Sequence, residues 1–453
     1  MHFKDLPLGA TVQQNLAALG YETPTPIQTE AIPFVAAGRD IVAIAQTGTG
    51  KTAAFALPLL EKLCKPNPLF SAKAVRPIRC LVLEPTRELA SQVEDSFLDY
   101  GKGMGVRSTV IFGGVGHEPQ RQVLRRGVDV VIATPGRLLD LMNERSIDLS
   151  HIEFLVLDEA DRMLDMGFIH DVKRIIKALP STTRQTLLFS ATMPDDIRDL
   201  AKHILKNPAQ VAVTPPSTTV ELINQSVTFI DQSQKRALLL HLLNSPEVSR
   251  ALVFTRTKHG ANKMAETLGK AGVTAMAIHG NKSQGARERA LEGFKAGSLR
   301  VLVATDIAAR GIDVDGVTHV VQVDLPEVPE QYVHRIGRTA RAGKSGIAWA
   351  FCARDERDLL TAIERTIKKK ITVQAAPSSL PAAPPEEARP PQQPRGRGRP
   401  QQGGRAGGGG GGGGRGGPAR SSGPSRSQPS MAAAGPSSPS SGRVQSFRPG
   451  GRR

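Results

Sequence analysis

The stretch Asp40-Ile-Val-Ala-Ile-Ala45-Gln-Thr-Gly-Thr-Gly-Lys-Thr52 decides the fold. Its first six residues form a nearly uninterrupted apolar run, the mark of a strand buried on both faces. A glycine-rich turn comes next, and beyond Thr52 the chain enters a helical pattern. A literal G-x-x-x-x-G-K-T search fails because position 45 is Ala, but the physics survives. Gly48 and Gly50 allow close backbone approach, and successive N–H groups at a helix N-terminus cradle phosphate oxygens. Ala45, Gln46, Thr47, Gly48, Thr49 and Gly50 would form the cradle. Lys51 would bridge the β- and γ-phosphates, and Thr52 would bind Mg2+.

Outward from this turn the same rhythm repeats. Cys80-Leu-Val-Leu-Glu84, Asp129-Val-Val-Ile-Ala133, Phe154-Leu-Val-Leu157 and Gln185-Thr-Leu-Leu-Phe189 alternate with helical patterns, which predicts a parallel sheet. Thr214-Pro-Pro-Ser-Thr-Thr219 breaks the pattern and reads as a linker. It then resumes with Ala251-Leu-Val-Phe254, Ala275-Met-Ala-Ile278, Val301-Leu-Val-Ala304, His319-Val-Val-Gln-Val323 and Ile347-Ala-Trp-Ala-Phe351. The halves share architecture without a residue-level repeat. The expected organisation is a first α/β domain over 1–213, a linker over 214–219, a second α/β domain over 220–374 and a tail over 375–453. Ligands of open parallel sheets sit beyond the carboxyl ends of strands, so the residues after each run should carry chemistry. Phe154–Leu157 runs into Asp158-Glu-Ala-Asp161. Acidic residues at a strand exit are usually solvated caps, but beside a phosphate loop Asp158 is placed to hold Mg2+. Glu159 would orient and deprotonate an attacking water.

Composition narrows the class. Among 453 residues, 59 Lys and Arg stand against 42 Asp and Glu, for a net +17. The last 79 residues hold 19 Gly, 14 Pro, 12 Ser, 12 Arg, two Glu and no Lys, so +10 of that charge lies there. Such a segment cannot bury enough apolar surface to offset its ordering entropy and should be disordered. Arg395-Gly-Arg-Gly-Arg399 and the glycine run between Arg405 and Arg415 resemble Arg-Gly segments that bind RNA, with a solvated spacer as the alternative. The absence of Lys favours RNA, because only the planar cation stacks. Three cysteines (Cys64, Cys80, Cys352) exclude a disulfide framework and a Cys-rich metal site. No apolar run approaches the roughly 18 to 20 residues of a spanning helix, so no membrane role is expected. The start, Met-His-Phe-Lys-Asp-Leu-Pro, lacks a signal-peptide layout, and the expected setting is cytoplasmic.

With Asp158-Glu-Ala-Asp161 unaltered, the chain resembles the DEAD-box RNA helicases of superfamily 2, which carry two tandem RecA-like domains. Gly20-Tyr-Glu-Thr-Pro-Thr-Pro-Ile-Gln28 matches the family's Q motif, with Phe3 at its upstream aromatic position. The resemblance implies that the Gln28 amide meets the adenine edge and Phe3 stacks on the base, favouring ATP over GTP. Pro85-Thr-Arg-Glu-Leu89, Gly113-Gly114 and Thr134-Pro-Gly-Arg137 match first-domain RNA-contact motifs, implying Pro85, Thr86, Arg87, Gly114, Thr134 and Arg137 as contacts to phosphate and sugar. Ser190-Ala-Thr192 matches the motif coupling hydrolysis to unwinding. In the second domain Val253-Phe254 with Thr257, and His279-Gly280 with Gln284 and Arg287, match further motifs. In Thr305-Asp-Ile-Ala-Ala-Arg-Gly-Ile-Asp313 the resemblance assigns Thr305 to RNA phosphate, Arg310 to an interdomain contact and Asp313 to ribose. His334-Arg-Ile-Gly-Arg-Thr-Ala-Arg341 matches motif VI and implies Arg338 and Arg341 as arginine fingers.

The resemblance implies an ATP hydrolase, dependent on ATP and Mg2+, that separates short RNA duplexes locally or remodels RNA–protein complexes. Single strands and short duplexes, and ribosomal or RNA-decay proteins, are the implied partners. A DNA helicase and a non-catalytic RNA clamp are the rivals. The Q motif and Asp161 weigh against the first, the full Lys51, Asp158, Glu159, Arg338 and Arg341 set against the second. The short start and Gly113-Gly-Val-Gly-His-Glu-Pro-Gln120 resemble the bacterial RhlE-like subgroup. Motif VI usually has Gly where Ala340 stands. A backbone with negative φ is expected there, which would make the change neutral.

Overall fold

The computed structural model describes residues 1–46, 48–65, 75–213, 223–309, 314, 316–340 and 345–380. All of them belong to one compact unit, Met1–Glu386. Within it lie two seven-stranded sheets. The first contains β1 (Ile41–Ile44), β2 (Cys80–Leu83), β3 (Ser108–Ile111), β4 (Val130–Ala133), β5 (Phe154–Leu157), β6 (Gln185–Ser190) and β7 (Ala209–Ala212). The second contains β8 (Ile223–Phe229), β9 (Ala251–Phe254), β10 (Ala275–Ile278), β11 (Val301–Ala304), β12 (His319–Gln322), β13 (Gly346–Cys352) and β14 (Thr372–Val373).

The orders are β3-β4-β2-β5-β6-β1-β7 and β10-β11-β9-β12-β13-β8-β14, every pairing parallel. Shifting the first order by seven reproduces the second, so the halves share one doubly wound topology, that of tandem RecA-like domains. Strands β2, β4 and β5 are apolar on both faces because helices cover both. In the first sheet Cys80, Val82, Phe154 and Val156 pack under the helix Lys51–Leu63, while Leu81, Leu83, Leu155 and Leu157 join the opposite core.

Five strands per half are legible as apolar runs, and the sheets add β3, β7, β8 and β14. β3 and β7 show why: they lie at the sheet edges and alternate buried with more exposed residues. Their sequences, Ser-Thr-Val-Ile and Ala-Gln-Val-Ala, carry no continuous apolar signal. β8 buries polar residues instead, and Gln225 accepts from the Tyr332 hydroxyl at 3.1 Å. The expected linker and most of the expected tail lie outside the described residues. Among the described residues, no helix is long and apolar enough to cross a membrane.

Candidate functional site

The phosphate loop sits at the carboxyl end of β1, as the apolar run dictates. Gly50 precedes the helix Lys51–Leu63 at φ 91°. A Cβ there would stand 2.3 Å from Gln28 Nε2, which donates instead to Gly50 O at 3.1 Å. Gln28 Oε1 accepts from Thr25 N at 2.9 Å, so this amide ties the loop at Gly50 to the start of its own helix, Pro26–Ala36. The loop also closes on itself, with Thr49 Oγ1 donating to Gln46 O at 2.7 Å. Lys51 is buried, and its Nζ reaches Ala45 O at 3.0 Å and Glu159 Oε1 at 2.9 Å. A cavity of about 470 Å³ is lined by Phe3, Gln28, Gly48, Gly50, Lys51, Thr52, Asp158 and Glu159 from the first half, and by Arg338 from the second. Thr47 lies outside the described residues.

The acidic string turns sharply after β5. Glu159 adopts the left-handed conformation (φ 51°, ψ 47°) immediately before the helix Ala160–Asp165. Its N–H donates to Asp158 Oδ1 at 2.8 Å, and its carboxylate lies between Lys51 and Arg162 Nε, the latter at 3.1 Å. Burial raises the Asp158 carboxyl to about 6, against the pull of Lys51. Burial works against the Lys51 ammonium, but Glu159 and Asp158 outweigh it and hold its pKa above the ordinary value. Asp161 turns toward β6: it accepts from Thr192 N at 2.9 Å and Thr192 Oγ1 at 2.8 Å, while its own N–H donates to Ser190 Oγ at 3.1 Å. The acidic string and Ser190-Ala-Thr192 are therefore one hydrogen-bonded unit.

From the second half, the helix Pro329–Ile336 and the turn after it deliver two arginines with different fates. Arg335 is saturated by Asp306 at 2.6 and 2.7 Å, Gln322 Oε1 at 3.1 Å and Asp324 O at 2.7 Å. Arg338 is also buried but lines the nucleotide cavity, its Nε donating to His334 O at 3.2 Å. Burial and the facing Arg162 both weaken its hold on its proton. Burial, reinforced by Arg162, pushes His334 down to about 4. The backbone after Arg338 corrects one expectation: Ala340 has φ 56°, in the left-handed region. Thr339 is pinned through Oγ1 to Val317 O at 2.5 Å, and Gly346 packs so closely that a Cβ there would lie 2.8 Å from Ala340 N. The neighbours fix this conformation, and Ala instead of Gly costs about 1 kcal/mol. Arg310, Asp313 and Arg341 lie outside the described residues.

The expected RNA contacts gather at strand exits. The Arg87 guanidinium lies over Gly114 (φ 79°), where a Cβ would be 2.0 Å from Nη1. Arg137 is buried, with Nη2 donating to Val115 O at 3.1 Å and Nη1 without a hydrogen-bond partner among the described residues. Pro85 precedes Thr86, whose hydroxyl caps the helix Arg87–Tyr100 by accepting from Leu89 N at 3.3 Å. Thr257 does the same for Gly260 N at 3.0 Å. Thr134 precedes the helix Pro135–Asn143, and Thr305 comes directly after β11. Three threonines thus stand at helix starts, and because a capping hydroxyl only accepts, its own O–H stays available to a phosphate beside the guanidiniums.

Sequence reasoning gave no role to three groups. Arg162 closes the Glu159 pair. Glu88 binds Arg287 Nε at 2.7 Å, joining the two halves. Glu84 ends the β2 run, fully buried, its carboxyl pushed well above the usual range by burial and by Asp158 and Glu159. Its place after a strand was the available signal.

A phosphate loop facing carboxylates on one parallel sheet, with an arginine delivered from a second, defines a tandem-domain nucleotide hydrolase. Residues 25–200 match the family described as DEAD/DEAH box helicase, and residues 234–343 the helicase conserved C-terminal domain. The DEAD-box ATP-dependent RNA helicase CshA of Bacillus cereus is 44% identical over 376 residues, covering 83% of this chain and 70% of that protein. CshA of Bacillus subtilis is 42% identical over 376 residues, with 83% and 74% covered. The solved structure of S. cerevisiae Dbp5 bound to RNA and ADP BeF3 superposes with a TM-score of 0.72 at 31% identity, covering 83% of this chain and 95% of that one. DEAD-box helicase Mss116 bound to ssRNA and UDP-BeF gives 0.74 at 27% identity, with 83% and 80% covered. The chain belongs to the DEAD-box ATP-dependent RNA helicases.

Proposed function

We propose that this enzyme hydrolyses ATP when RNA draws its two halves together, so that fuel use and strand grip are one event. One observation carries this: Arg338 of the second half lines the same cavity as Lys51 and Glu159 of the first. Lys51 and Glu159 hold each other at 2.9 Å, and γ-phosphate oxygens would take over the Lys51 ammonium. Glu159 can then orient water and accept its proton. Arg338 places a cation where charge spreads over the transferred phosphoryl group. Asp161 ties this centre to Ser190 and Thr192, a route from hydrolysis to strand release.

The donors present suit Mg2+. Thr52 and Asp158 line the cavity together, one hydroxyl and one carboxylate. A cation with one or two protein ligands plus phosphates and waters fits that set. Bound there, Mg2+ would neutralise charge on the β- and γ-oxygens.

Single-stranded RNA would lie across Arg87, Gly114 and Arg137, held by backbone contacts without base reading. Within the family, the RhlE-like reading rests on the Gly113–Gln120 string, while relatives sharing 42 to 44% identity bear the CshA name. The proposed setting is cytoplasmic, and ribosomal or RNA-decay proteins are partners compatible with the resemblance. Lys51→Ala tests the site: ATP turnover should vanish while salt-sensitive RNA binding persists, and normal turnover would refute the assignment.

A further inference from the structure

Glu84 is a buried carboxyl with no part in the hydrolysis assigned to Lys51, Glu159 and Arg338. It comes directly after β2, its N–H donates to Ala133 O at 2.9 Å, and among the described residues neither carboxyl oxygen has a hydrogen-bond partner. Unpaired buried acceptors cost stability, so the fold gains nothing from keeping them. The strand register shows what lies beside them. Leu83 pairs with Leu157, so the next pair along these parallel strands is Glu84 beside Asp158, roughly 4.8 Å apart. Side chains alternate, and Cys80, Val82, Phe154 and Val156 point into the core beneath the helix Lys51–Leu63. Glu84 and Asp158 therefore emerge on the face that carries Lys51 and Thr52.

Direct coordination by Glu84 is not what this geometry offers, since Thr52 and Asp158 line the cavity while Glu84 is buried outside that lining. A hydrated cation offers something else. Mg2+ dehydrates reluctantly and keeps several waters, each turning its hydrogens outward. We propose that Glu84 is an outer-sphere ligand of the catalytic cation, accepting a hydrogen bond from a metal-bound water and so fixing the hydrated ion against Asp158 and Thr52. This rests on the reading of Asp158 as the Mg2+ carboxylate. Glu84 is in this sense a positioning residue, acting on the ion through water.

Mn2+ is the probe, titrated into the full-length protein with saturating ADP and tracked by electron paramagnetic resonance. Removing an outer-shell partner typically weakens a metal site about 10- to 100-fold. Glu84→Ala should show that loss, while ADP affinity measured in EDTA stays unchanged. Glu84→Gln keeps the shape and one carbonyl acceptor, and should lose less; it also serves if the alanine variant fails to fold. Asp158→Asn is the control. If it weakens Mn2+ binding while both Glu84 variants bind as wild type, the outer-sphere role is overturned and the Asp158 reading stands. If none of the variants changes Mn2+ affinity, the cation site itself is misplaced.

Discussion

The two sheets share one strand order, yet their carboxyl ends do different work. In the second, charge is consumed internally. Lys235 meets Glu356 at 2.6 Å, Glu356 also holds Arg256 at 2.9 Å, and Arg335 is bidentate to Asp306. In the first, the charges face a cavity. Lys51, Asp158 and Glu159 line it, and the Lys51–Glu159 pair is one that a polyphosphate can exchange. The same topology thus builds a chemical end and a scaffold end, and the scaffold exports Arg338 to the chemical one. What separates them is where the partners lie: saturated pairs rigidify, whereas cavity-facing pairs can be traded for substrate.

The comparison breaks most visibly at its two arginines. Arg338→Ala should lower RNA-stimulated kcat by about 10³-fold or more while melting stays near wild type, as expected for a cation acting on the transition state. Arg335→Ala should instead unfold the second half readily, because it strands Asp306 and Gln322. A loss of about 3 kcal/mol in denaturant titration is expected. If the two variants behaved alike, the distinction would be wrong. Next, Glu159→Gln should cut ATP turnover by about 10² to 10⁴-fold and trap a closed complex with ATP and RNA, read by RNA release after ATP addition. Retained hydrolysis would remove its role as base.

Thr192→Ala sharpens the comparison further. It removes one of the two Thr192 bonds to Asp161, so strand separation should fall more than ATP turnover. Equal losses would show that the unit transmits nothing.

His334 gives the two halves a pH effect. Its folded pKa, about 4, lies below the ordinary 6.5, so between these values the unfolded chain binds the extra proton. The neutral histidine costs nothing above pH 6.5, and stability is lost as pH falls toward 4. The wild type should therefore lose more Tm over that window than His334→Gln. The smallest effect belongs to Ala340→Gly, which relieves a left-handed alanine but loosens the unfolded chain. A Tm change within the equivalent of about 1 kcal/mol is expected.

Much of the fold is legible in the sequence because central strands announce themselves. Ile41–Ile44, Cys80–Leu83 and Phe154–Leu157 are apolar on both faces, and chemistry sits directly after each. The loop, the acidic string and motif VI can be read from residue order alone. Edge strands cannot, since Ser108–Ile111 answers to solvent on one side. Nor can pairing: nothing in the order of residues says that Arg335 is spent and Arg338 presented, or that Glu88 reaches Arg287 in the other half. The φ of Ala340 runs against the sequence expectation because it is imposed by Thr339 and Gly346, contacts across the fold.

ATP turnover measured with and without single-stranded RNA, on wild type and Arg338→Ala, probes the joined site most directly. Strong stimulation by RNA in the wild type, flattened in the variant, is the predicted result. Equal wild-type rates whether or not RNA is present would contradict the coupling of the two halves.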